Sequence, residues 1–292
     1  MKPPRFDYAT PTTVTEAVAL LKQHDTEAKI LAGGQSLVPL LNMRLTRPGI
    51  LIDLGRIPEL NYIREADGAI VIGAMTTKRS VEDSDLVKSR QPLLHAATVL
   101  IGHVAIRNRG TVGGSLAHAD PAAEYPAVAV ALDAELRAMG PNGARSIKAA
   151  DFYVSYLTTA LEPTEILTEV RFPVLPSGAG WSCMEVARRH GDFAMAGAMV
   201  TVTLARDGRC SAARIVLFGV GAVPLRAAAA EQVVIGQKPS EKVFQDAGQK
   251  AADAAEEPMS DTHASAEYRR YLAQVMTRRA LAEAVSRAGR AA

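Results

Sequence analysis

Two short glycine-rich stretches, Ala32-Gly33-Gly34-Gln35-Ser36 and Thr111-Val112-Gly113-Gly114-Ser115, constrain this chain more than any other feature. Residues without a β-carbon let the backbone turn sharply and approach another group closely. The first stretch follows Lys29-Ile30-Leu31-Ala32, which reads as a brief buried strand, so a strand runs straight into a glycine turn. Such a junction can bring backbone N–H groups within hydrogen-bonding reach of a phosphate, and Ser36 adds a hydroxyl. Alone it is a weak signal, since most Gly-Gly pairs are plain turns. It is neither a Walker loop, which needs Gly-Lys before Ser or Thr, nor a G-x-G-x-x-G fingerprint. The second stretch continues through Leu116-Ala117-His118-Ala119-Asp120-Pro121 and is rich in small and hydroxylated residues. Two such loops, far apart in the chain, could clasp a pyrophosphate from two sides.

The elements around them are short and mixed. Thr13-Val14-Thr15-Glu16 fits a capping box ahead of a helix to about His24. Strands are expected at 50–53 and 69–73, with Asp67-Gly68 as the turn before the second, and a helix from Pro92 to near Gly102. Small and aliphatic residues from Ala127 to Arg137 suggest a buried strand, and Ile166 to Phe172 another. The proline- and glycine-rich segment 173–180 is the best linker, giving units 1–176 and 177–292. The second unit reads as strands around 181–188, 198–205 and 214–220, followed by helices. The last helix, over 266–285, carries an apolar stripe to cover a sheet.

Composition narrows the function. Lys plus Arg number 33 against 31 for Asp plus Glu, so no overall field exists to hold nucleic acid. No apolar run reaches membrane-spanning length and no signal peptide opens the chain, which implies a cytoplasmic protein. Its two cysteines, Cys183 and Cys210, cannot supply an iron-sulfur cluster and are expected to be buried thiols. Ser36 and Ser115 have no histidine that spacing would pair with them, so a hydrolase triad is a poor reading. No catalytic side chain and no metal site is expected.

The two loops together resemble the paired FAD loops of the medium subunits of molybdenum hydroxylases, the carbon monoxide, xanthine, nicotine and caffeine dehydrogenase type. The resemblance extends through Phe6-Asp7-Tyr8 with Pro11, Ile52-Asp53-Leu54, Ile106-Arg107-Asn108-Arg109-Gly110-Thr111, Glu165-Ile166-Leu167 and Arg188-Arg189-His190-Gly191-Asp192-Phe193-Ala194. It implies an α+β fold, namely a two-subdomain FAD-binding domain of the vanillyl alcohol oxidase type followed by a C-terminal α+β domain.

By that resemblance the flavin diphosphate lies on Lys29, Ile30, Leu31, Ala32, Gly33, Gly34, Gln35, Ser36 and Leu37, with Thr111, Gly114 and Ser115 as the second half of the cradle. Ala117, His118, Ala123 and Glu124 would lie near the ribityl chain or ring, and Ile101, Gly102, Ile166 and Leu167 around the adenine. Without the resemblance, Ile101, Ile166 and Leu167 read as ordinary core and His118 as a structural hydrogen-bonder. Arg107 and Arg109 suit phosphate contact or a solvated, partner-facing role. Phe193 suits a flavin cover or a core aromatic. Where several relatives carry lysine this chain has Glu185, and no contact is carried over there.

The implied cofactor is noncovalent FAD. The implied role is electron transfer from a small [2Fe-2S] subunit, within a complex that also holds a large molybdopterin subunit, to an acceptor such as NAD, oxygen or a quinone. The complex is expected to be a dimer of heterotrimers. The rival readings are a stand-alone flavin reductase or oxidase on the same fold, and a nonenzymatic assembly subunit.

Overall fold

In the computed structural model, which describes residues 1–289, the chain opens with β1 (Asp7–Ala9), α1 (Val14–His24), β2 (Ala28–Leu31), α2 (Leu37–Asn42) and β3 (Ile50–Asp53). β3 lies between β1 and β2 and is parallel to both. The Thr13 hydroxyl caps α1 by accepting from the Glu16 N–H, and the Glu16 carboxylate accepts in return from the Thr12 N–H (2.8 Å). The capping box thus reaches one residue further upstream than expected. Ala17, Val18 and Leu21 of α1 pack on Ile50 and Ile52 as a small separate core.

Next come β4 (Ile63–Ala66) and β5 (Ala69–Gly73), joined by Asp67-Gly68, both at positive φ (50° and 71°) as the tight hairpin turn requires. Six helices follow: α3 (Lys78–Asp83), α4 (Asp85–Arg90), α5 (Pro92–Leu100), α6 (Val104–Arg107), α7 (Val112–His118) and α8 (Glu124–Ala131). The hairpin β6 (Glu135–Gly140) and β7 (Gly143–Lys148), α9 (Ala149–Phe152), the short pair β8 (Tyr153–Ser155) and β9 (Thr158–Thr159), and β10 (Ile166–Pro173) complete this part. The larger sheet is antiparallel in the order β4-β5-β10-β6-β7. The strand expected over 127–137 is corrected: 124–131 is helix and strand begins only at Glu135. Every residue of α8 is buried. A helix enclosed on all sides shows no polar stripe, so its small aliphatic run resembles a buried strand.

Beyond the 174–179 connection lie β11 (Gly180–Val186), β12 (Ala196–Leu204), β13 (Cys210–Phe218) and β14 (Leu225–Arg226), an antiparallel sheet in chain order. Helices α10 (Ala228–Val234), α11 (Glu241–Ala254) and α12 (Ala266–Arg287) follow. Side chains alternate across the sheet. Ala198, Val200, Ile215 and Leu217 pack with Leu272, Met276 and Leu281 of α12, while Met199, Val216 and Phe218 join the core built on α5 and α8. The fold is therefore α+β in both parts. Of the expected 177–292 unit, the last three positions lie outside the described residues. Cys183 is half-buried, Cys210 is buried, and both are free. Among the described residues no helix is long and apolar enough to cross a membrane.

Candidate functional site

β2 ends at Leu31 and the chain turns through Gly33-Gly34 into α2, with Gly34 at φ 72°, a conformation open mainly to glycine. The Gln35 amide braces the turn by donating to the Gly33 carbonyl (3.2 Å). Among the described residues, no acceptor within the chain takes up the N–H groups of Gly33, Gly34, Gln35 or Ser36, and the Ser36 hydroxyl caps nothing. This loop therefore keeps a set of uncommitted donors.

The second loop differs. Val112 N–H donates to Thr76 (2.9 Å), Gly113 N–H to Ala74 (2.8 Å), Gly114 N–H to the Thr111 hydroxyl (3.0 Å) and Ser115 N–H to the Thr111 carbonyl (3.2 Å). Its amides are consumed in capping α7 and in docking onto the end of β5, so a two-sided amide clasp does not form. Its glycines serve close packing instead: a β-carbon on Gly113 would lie 2.5 Å from that of Ala74. The loops touch, since a β-carbon on Gly114 would come within 3.3 Å of the Ala32 methyl, and one on Gly33 within 2.8 Å of Gly110 Cα.

A cleft of about 730 Å³ opens over this junction. Its lining takes in Lys29 and Ile30 of β2, the whole turn from Ala32 to Leu37, and Thr111, Gly114, Ser115, Ala117 and His118 around α7. Ala123 and Glu124, Ile101 and Gly102, and Ile166 and Leu167 complete the set expected from the sequence. Leu31 stands apart: it does not line the cleft, and its Cδ1 would lie 3.4 Å from a β-carbon on Gly34, supporting the turn from beneath. Ile101, Ile166 and Leu167 are both core and wall.

Arg107 takes neither role open to it in the sequence. It is buried, bonds Glu82 through two nitrogens (2.8 and 3.1 Å) and donates to the Ile101 and Gly102 carbonyls (3.0 Å each), pinning the turn behind the cleft. Arg109 is exposed, and its carbonyl lies against Gly33.

Further wall residues lie outside the set expected to bind the cofactor. Leu157 comes from the β8–β9 turn, Leu161 and Pro163 from the β9–β10 connection, and Lys78 from the start of α3. Gly191, Asp192 and Phe193 come from the β11–β12 connection, which reaches across from the C-terminal part. A β-carbon on Gly191 would lie 2.9 Å from the Gly102 carbonyl, so the glycine permits that docking. Phe193 is 65% exposed, so it is not a core aromatic. Arg269 of α12 anchors the strand end beyond it by donating to the carbonyls of Met195 and Gly219. The Gly219 N–H donates onward to Pro121 (2.8 Å).

Two of the charged residues lining the cleft, Lys78 and Glu124, are buried. Burial lowers the Lys78 ammonium to about 8, against the opposing pull of Glu124, and lifts the Glu124 carboxyl to about 7. Outside the cleft lining, burial lifts Glu185 to about 8, with Glu124 adding to the effect. His118 is held below its usual range, first by burial and then by Lys78 and Lys29, with Asp120 opposing. No group of three or more His, Cys, Asp or Glu side chains suited to a metal is found among the described residues.

The size and chemistry suit a dinucleotide cofactor. Clefts of about 300–1,000 Å³ hold ligands of this class, and free amides beside a hydroxyl match a diphosphate. Residues 4–175 match the family model described as the FAD binding domain in molybdopterin dehydrogenase, and residues 181–284 that of the CO dehydrogenase flavoprotein C-terminal domain. The 6-hydroxypseudooxynicotine dehydrogenase complex subunit alpha of Paenarthrobacter nicotinovorans is 43% identical, over 99% of this chain and 97% of its own length. A carbon monoxide dehydrogenase structure from Hydrogenophaga pseudoflava superposes with a TM-score of 0.97 at 41% identity, covering 99% of this chain and all (100%) of the other. Quinoline 2-oxidoreductase from Pseudomonas putida 86 gives a TM-score of 0.92 at 37% identity, covering 98% and 99%.

Proposed function

This chain belongs to the FAD-binding subunits of the molybdenum hydroxylase family, and from that premise we propose that it relays electrons from [2Fe-2S] clusters of a partner subunit to an external acceptor. The single observation that supports the cofactor's place is the Gly33–Ser36 turn, whose uncommitted N–H groups face no acceptor of the chain's own. In this reading those amides and the Ser36 hydroxyl hold the diphosphate. Thr111, Gly114 and Ser115 shape the opposite wall; Ala117, His118, Ala123 and Glu124 stand by the ribityl chain or ring; Ile101, Gly102, Ile166 and Leu167 enclose the adenine end. Leu31 acts from behind the turn.

Bound FAD would supply the exchange between one-electron and two-electron carriers. The chain's own residues bind, orient and shield it, and none of them need act as a nucleophile. Phe193 and its connection close one side of the cleft to water. In this reading the flavin is held noncovalently, since the family resemblance supports no attachment histidine. The reading further places the chain in the cytoplasm, with units 1–176 and 177–292, beside an iron-sulfur and a molybdopterin subunit in a doubled heterotrimer. The relatives support partnership by being named as subunits or medium chains.

Purified alone, the protein is expected to be yellow or to become so with added FAD, to release intact flavin with acid or heat, and to oxidise no organic substrate. Co-expressed with the neighbouring reading frames, it is expected to copurify with iron and molybdenum. A colourless protein that takes up no FAD would overturn the reading, and substrate turnover by this chain alone would favour the stand-alone enzyme.

A further inference from the structure

Lys78 opens α3 directly behind the second loop's docking site, and its own N–H donates to the Gly110 carbonyl (2.8 Å). Its side chain runs under that glycine, where a β-carbon would meet Lys78 Cδ and Cε at 3.5 Å. Gly110 in turn touches Gly33. The lysine is thereby carried to the cleft wall beside the turn that keeps its amides free, and it lines the cleft while only 8% exposed.

Among the described residues the ammonium has neither a hydrogen-bond acceptor nor an ion pair; its near neighbour is the Tyr125 ring face, 5.4 Å from the centroid. A π face attracts a cation without neutralising it. Glu124 is close enough to be felt but is itself buried and only partly ionised near neutrality. Lys29, another cation lining the cleft, is solvent-exposed and therefore screened. The side chain is largely buried while its tip opens on the cleft, so a ligand that displaces the cleft's water must supply the ammonium with an acceptor. Amide N–H groups give an anion direction, and an ammonium beside them gives the net charge they lack.

Resting on the reading of the cleft as an FAD site, we propose that Lys78 is a further cofactor-binding residue, its ammonium gripping the diphosphate bridge together with the Gly33–Ser36 amides. The test compares wild type, Lys78→Met and Lys78→Arg in the full chain. Each is titrated with FAD and, separately, with ADP, which carries the diphosphate without a flavin ring, and each apoprotein is melted. Lys78→Met is expected to weaken FAD and ADP alike by roughly tenfold or more, the loss of one charge-assisted contact. Lys78→Arg is expected to retain most of the affinity. The Lys78→Met apoprotein is expected to melt at or above the wild-type temperature, because an apolar chain of similar length replaces an uncompensated charge.

Unchanged FAD affinity in Lys78→Met would overturn the proposal, as would a loss for FAD with ADP unaffected, which would move the charge to the ring. A lower melting temperature of the Lys78→Met apoprotein would make the lysine a support of the fold and overturn it too. A wild-type chain that binds neither ligand would overturn the FAD reading as well, a result distinct from the other three.

Discussion

A β-carbon placed on Gly33 would lie 2.1 Å from the carbonyl oxygen of Arg109, so the two glycine loops meet through bare backbone. Gly33→Ala is expected to push the 109–110 segment away and remove most of the bound flavin, with a lower melting temperature of the apoprotein. The flavin-to-protein absorbance ratio and calorimetry check both. Full occupancy in this variant would show that the contact does not shape the site.

Ser36 and Thr111 separate ligand binding from folding. The Thr111 hydroxyl caps α7 by accepting from Gly114 N–H, whereas the Ser36 hydroxyl caps nothing. Thr111→Ala is expected to cost the apoprotein about 1 kcal/mol, the ordinary value of an N-cap. Ser36→Ala is expected to leave the apoprotein unchanged and to weaken FAD. Urea denaturation beside FAD titration reads the two effects, and equal destabilisation by both would refute the distinction.

The first loop was legible because a buried strand ending in two glycines leaves few alternatives, and its neighbour Ser36 marked the polar side. The second loop carried the same letters, yet nothing local reveals that Thr76 and Ala74, far upstream, accept its amides. Lys78 was invisible for a related reason: Thr-Thr-Lys-Arg at a helix start reads as a solvated face, and only packing against Tyr125 and Gly110 buries it. Phe193 carried a hint from its motif, but its place depends on a connection reaching over from another sheet. Glycine-hydroxyl patterns encode local backbone shape, while partners distant in the chain decide how that shape is used.

Glu185 predicts a pH effect. Burial lifts its carboxyl from an ordinary 4.5 to about 8, and its Oε2 has no hydrogen-bond partner. A group that holds its proton more tightly when folded contributes its full stability below pH 4.5 and loses it as pH rises through about 8. Glu185→Gln is therefore expected to melt with wild type near pH 4.5 and roughly 5 °C or more above it once the pH passes 8. Parallel melting curves across that range would place the titration elsewhere.

Arg269 is 2% exposed and holds the carbonyls of Met195 and Gly219 and the Asp261 carboxylate (2.7 Å) at once. Removing it takes the donor from two carbonyls, while the exposed Asp261 carboxylate keeps the His263 and Ala264 N–H groups. Arg269→Met is expected to destabilise the protein by about 2–4 kcal/mol, measured by denaturant titration, since two carbonyls lose a charged donor. It is also expected to loosen the connection carrying Phe193 and so raise the dissociation rate of flavin.

Phe218, Val216 and Met199 turn inward onto helices made on the other side of the 174–179 connection. That connection is a seam in the text of the gene and not in the solid it encodes. A protease cutting there would leave a nicked but assembled molecule, whereas either fragment synthesised alone would present raw oily surface to solvent. Chimeras that trade one half with a relative must accordingly trade the matching knobs and sockets as a set, which ties the drift of the two halves to each other.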